Sequence, residues 1–216
     1  FHLRHNYVSI EVEFWREASQ RVWEKIRQAP QPYNAVVGMD WGSVNDFTVS
    51  IVLDTGTWEV VSCYRTNRMD YEAQLKRHVD HIRQFKPRMV YPEMNAMGRP
   101  LVERMAQMGI PVSPITVTAH NKRDMIDCLA LRFERREIRI VPNRDLVFEL
   151  QAFQRTKSPS GLFRLSAPTG RHDDFVMALA LAHFGASTGT GVPSVRTVSY
   201  VGPGVAEEQE EEDPWR

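Results

Sequence analysis

Four acids stand where their surroundings point to chemistry. Asp40 ends the apolar run Ala35-Val-Val-Gly-Met-Asp40, which reads as a buried strand and stops at Trp41-Gly42. An unpaired charge in a strand core is costly, so Asp40 implies a partner, a cation or a place at the strand's mouth. Glu93 follows Met89-Val-Tyr-Pro92 at the C-terminal end of another short apolar strand, and Asp173 and Asp174 open the last helix. Carboxylates that converge repel one another unless cations sit among them, and their hard oxygens suit Mg²⁺ or Mn²⁺. Two such ions roughly 4 Å apart activate a water on one side of a phosphodiester and stabilise the leaving oxygen on the other. On that scheme Asp40 bridges both ions, Glu93 completes one and Asp174 the other. Singly, each acid has an ordinary reading: Asp40 as a turn acid, Glu93 as a surface residue, Asp173 or Asp174 as a helix N-cap favoured by the helix dipole. Their joint placement on one edge of a sheet carries the chemistry.

The elements that must bring them together follow from periodicity. Strands are expected over 35–41, 47–53 and 58–64, the last two joined by the turn Asp54-Thr-Gly-Thr57. A helix over 70–85 leads to a strand at 89–91 and a helix after Gly98-Arg-Pro100. A strand at 111–117 then precedes a helix from Asn121, read as its N-cap, to about Arg136. Residues 145–155 read as helical, 153–165 as a β-hairpin turning at Lys157-Ser-Pro-Ser-Gly161, and an Ala-rich helix runs from about His172 to Gly185. The order β-β-β-α-β-α-β-α is that of an α/β fold with a mixed central sheet. In it the first and fourth strands are expected to be neighbours, with the last helix packed across them.

The chain has 216 residues, 42% of them hydrophobic, enough for one medium domain with extensions. The longest apolar run near the C-terminus is too short to span a bilayer and no leader opens the sequence, so no membrane role and an intracellular, soluble protein are expected. Cys63 and Cys128, far apart and in no Cys-x-x-Cys pattern, read as core thiols rather than a disulfide or zinc site. The formal net charge is zero, yet the segment 207–213 holds six of the 27 acids. Without residues 205–216, which also carry Arg216, 26 basic and 21 acidic residues are left. A body near +5 suits a polyanionic partner without proving one. Residues 1–32, with a helical stretch over 12–26, read as an extension or interdomain junction. Residues 33–187 form the domain, and 188–216, rich in Ser, Gly, Pro and Glu, a flexible acidic tail. No Gly-x-x-x-x-Gly-Lys-Ser/Thr loop for ATP is present.

The motifs Gly38-Met-Asp-Trp-Gly42 with Asp46-Phe-Thr48, Tyr91-Pro-Glu93, Lys122 opening a helix, Ile140-Val-Pro142, Leu146 with Glu149-Leu150, and His172-Asp-Asp174 before Ala178-Leu-Ala-Leu-Ala182 occur in fixed order. Together they resemble the nuclease domain of the large terminase subunit of tailed bacteriophages, over roughly residues 35–186. The resemblance implies an RNase H-like fold with an added hairpin and a metal-dependent endonuclease acting on double-stranded concatemeric DNA. It also implies Asp40, Glu93 and the His172-Asp173-Asp174 motif as metal-site residues. Related Holliday-junction resolvases place an Asp where Met177 stands here, which makes Asp174 the preferred third ligand, with Asp173 and His172 nearby and Asp46 either contributing through water or capping its own turn. The family further implies as partners an ATPase domain in the same polypeptide, a portal ring, a small terminase subunit and copies of itself within the packaging motor, in the host cytoplasm.

For DNA contact, the hairpin offers Arg155, Lys157 and Arg164, and the helix ending near 136 offers Arg132, Arg135, Arg136 and, beyond it, Arg139. Lys122, a cation at a helix start and against the dipole, is suited to positioning a phosphate. A junction resolvase is the alternative enzyme. A binding module on the same fold, with the acids as caps, is the alternative of another class, and loss of cleavage on substituting the acids separates it from a nuclease.

Overall fold

The computed structural model describes residues 34–42, 47–94, 98–157 and 163–188. The expected helix over 12–26, Asp46, the tip of the hairpin turn, the side chain of Lys157 and the acidic tail lie outside the described residues.

Three strands run as an antiparallel meander: β1 (Ala35–Asp40), β2 (Thr48–Asp54) and β3 (Glu59–Thr66). Helix α1 (Tyr71–Arg83) follows, and β4 (Met89–Pro92) returns beside β1 in parallel, giving the order β3-β2-β1-β4. The sheet is mixed, and the first and fourth strands are neighbours. Next come α2 (Gly98–Gln107), α3 (Ala119–Glu134) and α4 (Arg144–Ala152). Strands β5 (Gln154–Lys157) and β6 (Phe163–Ser166) pair as a separate hairpin, and α5 (Asp174–Thr188) is the last described element.

Side chains alternate across a strand, and β1 shows what that does. Val37 and Met39 point to one face, into a core with Leu75, Val79, Ile82, Leu101 and Met105 of α1 and α2. Val36, Gly38 and Asp40 lie on the other, where α5 packs. Helix α5 is buried all round from Phe175 to Ala182, as a helix apolar on every side must be. The sheet lies on one side of it and α3 and α4 on the other. Its approach to β1 is backbone to backbone, because a Cβ added at Gly38 would overlap the Ala178 carbonyl oxygen and the Ala182 amide nitrogen. At Gly185 an added Cβ would enter the Tyr91 ring on β4. Two glycines thus set how closely the helix lies on the parallel pair.

Four expectations, the last of them the core placement of Cys128, need correction. The strand at 111–117 does not form: only single bridges, Val90 to Val112 and Glu93 to Ile115, link this stretch to β4. Pro111 and Pro114 lack the N–H groups that a continuous ladder needs. The N-cap of α3 is Thr118 rather than Asn121. Thr118 takes the Asn121 N–H at 3.2 Å while the Asn121 side chain takes the Thr118 N–H at 2.6 Å, a reciprocal capping box. The last helix begins at Asp174, so His172 and Asp173 precede it. Of the cysteines, Cys63 is half-buried on β3 but Cys128 is exposed on α3, on the face opposite the core residues Ile126 and Leu129.

Helix α1 is fastened to the sheet by a polar network absent from any periodicity. His78 bridges Ser50 (3.0 Å) and Thr66 (2.9 Å), while His81 meets Ser62 at 2.8 Å. Burial pulls His78 down to about 3, with the neighbouring His81 adding to the effect, and pulls His81 down to about 4, from an ordinary 6.5. A folded-state value below the unfolded one means that stability is complete above 6.5 and is lost as pH falls, because only the unfolded chain then takes up the proton. For His78 the loss is about 1.4 kcal/mol per pH unit. Relative to a His78→Gln protein, whose amide can bridge the same hydroxyls, the parent should lose urea stability at that slope below 6.5. An unchanged difference between pH 7 and pH 5 would contradict it.

Candidate active site

The acids meet at the C-terminal ends of the parallel pair. Register pairs Met39 with Pro92, and the Glu93 N–H donates to the Met39 carbonyl at 2.9 Å, which sets Glu93 beside Asp40. Asp40 is only 9% exposed. Burial pushes its carboxyl well above the ordinary 3.8. A hydrogen bond with Glu93 and the charges of Glu93, Asp174 and Asp173 push it the same way. Glu93, Asp174 and Asp173 therefore all act on Asp40, brought to it by a strand end and the start of α5.

Each acid on the helix side has a partner. Asp174 accepts from the Phe47 N–H at 3.4 Å, and its Oδ2 lies 3.5 Å from His172 Nδ1. Asp173 lies 3.4 Å from Lys122 Nζ, and the Asp173 carbonyl receives the Met177 N–H. Lys122, in the first turn of α3, is thus at the cluster's edge, 6.0 Å from the ring centre of Phe153 at the root of the hairpin. Trp41 follows Asp40 but turns away, packed against the core of α1 and α2.

One further acid at the site stood in a sequence motif without a role of its own. Glu149 of α4 is 5% exposed and accepts the Phe175 N–H at 2.7 Å. Burial, with Asp174 and Asp173 adding to it, pushes its carboxyl up to about 8, against the N–H groups of Phe175 and Val176, which pull it down. The signal was present in the pattern, since Leu146, Glu149, Leu150 and Phe153 fall on one face at helical spacing and all are buried. Beside the acids runs a cleft of about 310 Å³ lined by Phe47, Arg65, Phe148, Glu149, Arg171 and His172. Arg65 lies 4.1 Å over the Phe47 ring and bonds Asp145 at 2.7 Å, and Arg171 lies 4.4 Å over the exposed Phe148.

The cations proposed for DNA divide into two groups. Arg155 is half-buried and Arg164 exposed on the hairpin, at whose root the Phe153 ring centre lies 6.0 Å from Lys122 Nζ. Arg135 and Arg136 are exposed at the far end of α3, roughly 24 Å of helix from its start. Arg139 bonds Glu59 at 2.6 Å, and Arg132 bonds Glu137 at 2.8 Å and lies 4.3 Å over Trp58. Glu59 pairs across the sheet through Asp54 with Ala35, at the opposite end of β1 from Asp40.

The donor set is entirely carboxylate oxygen, the chemistry that hard divalent cations prefer. As the side chains stand, no three His, Cys, Asp or Glu among the described residues are gathered so as to hold an ion. Asp40 and Glu93 are instead bonded to each other. The residues fit the cation as a set of donors rather than as a finished cage.

A mixed sheet with this strand order, crossed by a buried helix that carries acids to the end of β1, defines the class of protein. Residues 37–185 match the terminase RNaseH-like domain, and the chain belongs to that family. It is 28% identical over 148 residues to the large terminase subunit of Thermus virus P23-45, covering 68% of this chain and 30% of the relative. The chain thus spans about 30% of the length of the curated relatives it matches. Among solved structures, the large terminase nuclease of the thermophilic phage G20c is 27% identical with a TM-score of 0.65, covering 69% of this chain and 81% of that one. The same nuclease with bound magnesium matches equally, at 27% identity and a TM-score of 0.65, over 69% of this chain and 80% of that one. No helix among the described residues is long and apolar enough to cross a membrane.

Proposed function

We propose that this chain is the metal-dependent endonuclease domain of a phage DNA-packaging terminase, cutting phosphodiester bonds of double-stranded, concatemeric viral DNA. The observation that carries the proposal is the buried Asp40 at the mouth of β1, bonded to Glu93 and within the fields of Asp173 and Asp174. Magnesium in the related G20c nuclease supports a divalent site. Mg²⁺ or Mn²⁺, two ions on this reading, would be held by Asp40, Glu93 and Asp174, with Asp173 adjacent. When bound they would supply an activated water and charge stabilisation for the leaving oxygen.

The chain's own residues do the rest. Asp40 and Glu93 are fixed by strand register, and Asp174 is oriented by the Phe47 N–H and His172. Lys122 screens Asp173 and offers a cation to an incoming phosphate. Arg155, Lys157 and Arg164 on the hairpin draw the duplex toward acids that would otherwise repel it, so binding weakens steeply with salt. The implied setting is a packaging motor in the host cytoplasm, with an ATPase domain of the same polypeptide, a portal ring, a small terminase subunit and further copies of this chain. Incubation with supercoiled plasmid tests the activity. Nicked and linear products in Mg²⁺ or Mn²⁺ and none in EDTA are expected; undiminished cleavage in EDTA, or none with either cation, would contradict it.

A further inference from the structure

We infer that Glu149 is a positioning residue of this site: from α4 it caps the start of α5 and so fixes the turn from which Asp173 and Asp174 project. The inference rests on the metal-site reading above. Helices α1, α3 and α4 are capped by the residue that immediately precedes each, Asp70, Thr118 and Asn143. At α5 the Phe175 N–H goes instead to Glu149, 26 residues earlier and on another helix. Phe175 directly follows Asp174, so this bond ties down the peptide unit between the carboxylate-bearing residue and the rest of the helix.

The placement is costly and local. A carboxyl on a face otherwise made of Leu146, Leu150 and Phe153 is disfavoured by burial, and Asp173 and Asp174 disfavour its charge further. What it gains is the helix's unsatisfied first-turn N–H groups, which take an anion well. Every group on the turn is then held: Asp173 by Lys122, Asp174 by Phe47 and His172, and the backbone after them by Glu149. Partners that orient metal ligands in this way contribute to affinity without touching the ion.

The test compares Glu149→Ala, which removes the acceptor, with Glu149→Gln, which keeps an oxygen to receive the Phe175 N–H. Mn²⁺ affinity of the 216-residue chain is measured by calorimetry, and folding by melting in EDTA. Alanine should weaken Mn²⁺ binding about tenfold, the scale for residues that orient ligands, while glutamine stays near the parent. An alanine protein that melts lower yet binds Mn²⁺ as the parent does would overturn the inference, as would a glutamine protein as impaired as alanine. Should alanine fail to fold, Glu149→Asp, one methylene too short for the bond, takes its place with the same expectation. Asp40→Asn run alongside separates the two failures. If it too leaves Mn²⁺ binding intact, the metal-site reading falls and the inference with it; if it alone abolishes binding, only the role of Glu149 falls.

Discussion

Asp40→Asn is expected to melt at a higher temperature than the parent in EDTA while its cleavage rate drops on the order of 10³-fold or more. The two effects share a cause. Asp40 is buried, and burial, its bond to Glu93 and the nearby acids raise its folded-state value above the unfolded one. A carboxyl shifted upward supports folding below its unfolded value and loses that support as pH rises through the folded one. At neutral pH it therefore weighs against the folded state. Asparagine removes the charge at nearly the same volume and keeps an oxygen and an amide for Glu93. In Mn²⁺ the order should reverse, because the parent gains about 2.7 kcal/mol at a hundredfold excess over Kd and the variant does not. Differential scanning fluorimetry with and without Mn²⁺ checks both signs. A variant that melts below the parent in EDTA would show that Asp40 is a stabilising turn acid.

Gly38→Val should be the most disruptive single change in the sheet. Its side chain would point at α5, where even a Cβ overlaps the backbone at Ala178 and Ala182. Overpacking a core costs about 1–3 kcal/mol where side chains can give way; here the obstacle is helix backbone, so the cost is expected at or above that range. The effect should reach the site before the fold is lost, since lifting α5 from β1 carries Asp173 and Asp174 away from Asp40. Urea denaturation should show the loss, and Gly38→Ala, milder, should weaken Mn²⁺ binding while still folded. A Gly38→Val protein as stable as the parent would contradict the close helix-sheet approach.

How much of this was legible in the sequence differs from residue to residue. Asp40 was, because an acid in an apolar strand needs a reason, and the pairing of β1 with β4 followed from element order. The absent strand at 111–117 carried its own warning in Pro111 and Pro114, outweighed by the apolar residues between them. Thr118 and Asn121 both suit a helix start, and only the reciprocal bonds tell cap from third residue. Glu149 stood in a motif and on the apolar face of Leu146, Leu150 and Phe153, but its role was not legible, because a glutamate in an amphipathic helix is normally solvated and its partner comes from α5. Arg139 looked continuous with Arg135 and Arg136, yet it answers Glu59, 80 residues earlier. Local pattern could not show that the pair lies at the other end of the sheet. Periodicity reports which face a residue occupies, while the partners on that face belong to distant parts of the chain.

On the proposed function these acids hold divalent cations at the mouth of β1. Anomalous diffraction from crystals of the chain soaked in Mn²⁺ tests it most directly. Mn²⁺ in contact with Asp40, Glu93 and Asp174 is expected, with no peak there in Asp40→Asn crystals. Saturating Mn²⁺ that leaves those carboxylates bare, or that settles elsewhere on the chain, would contradict it.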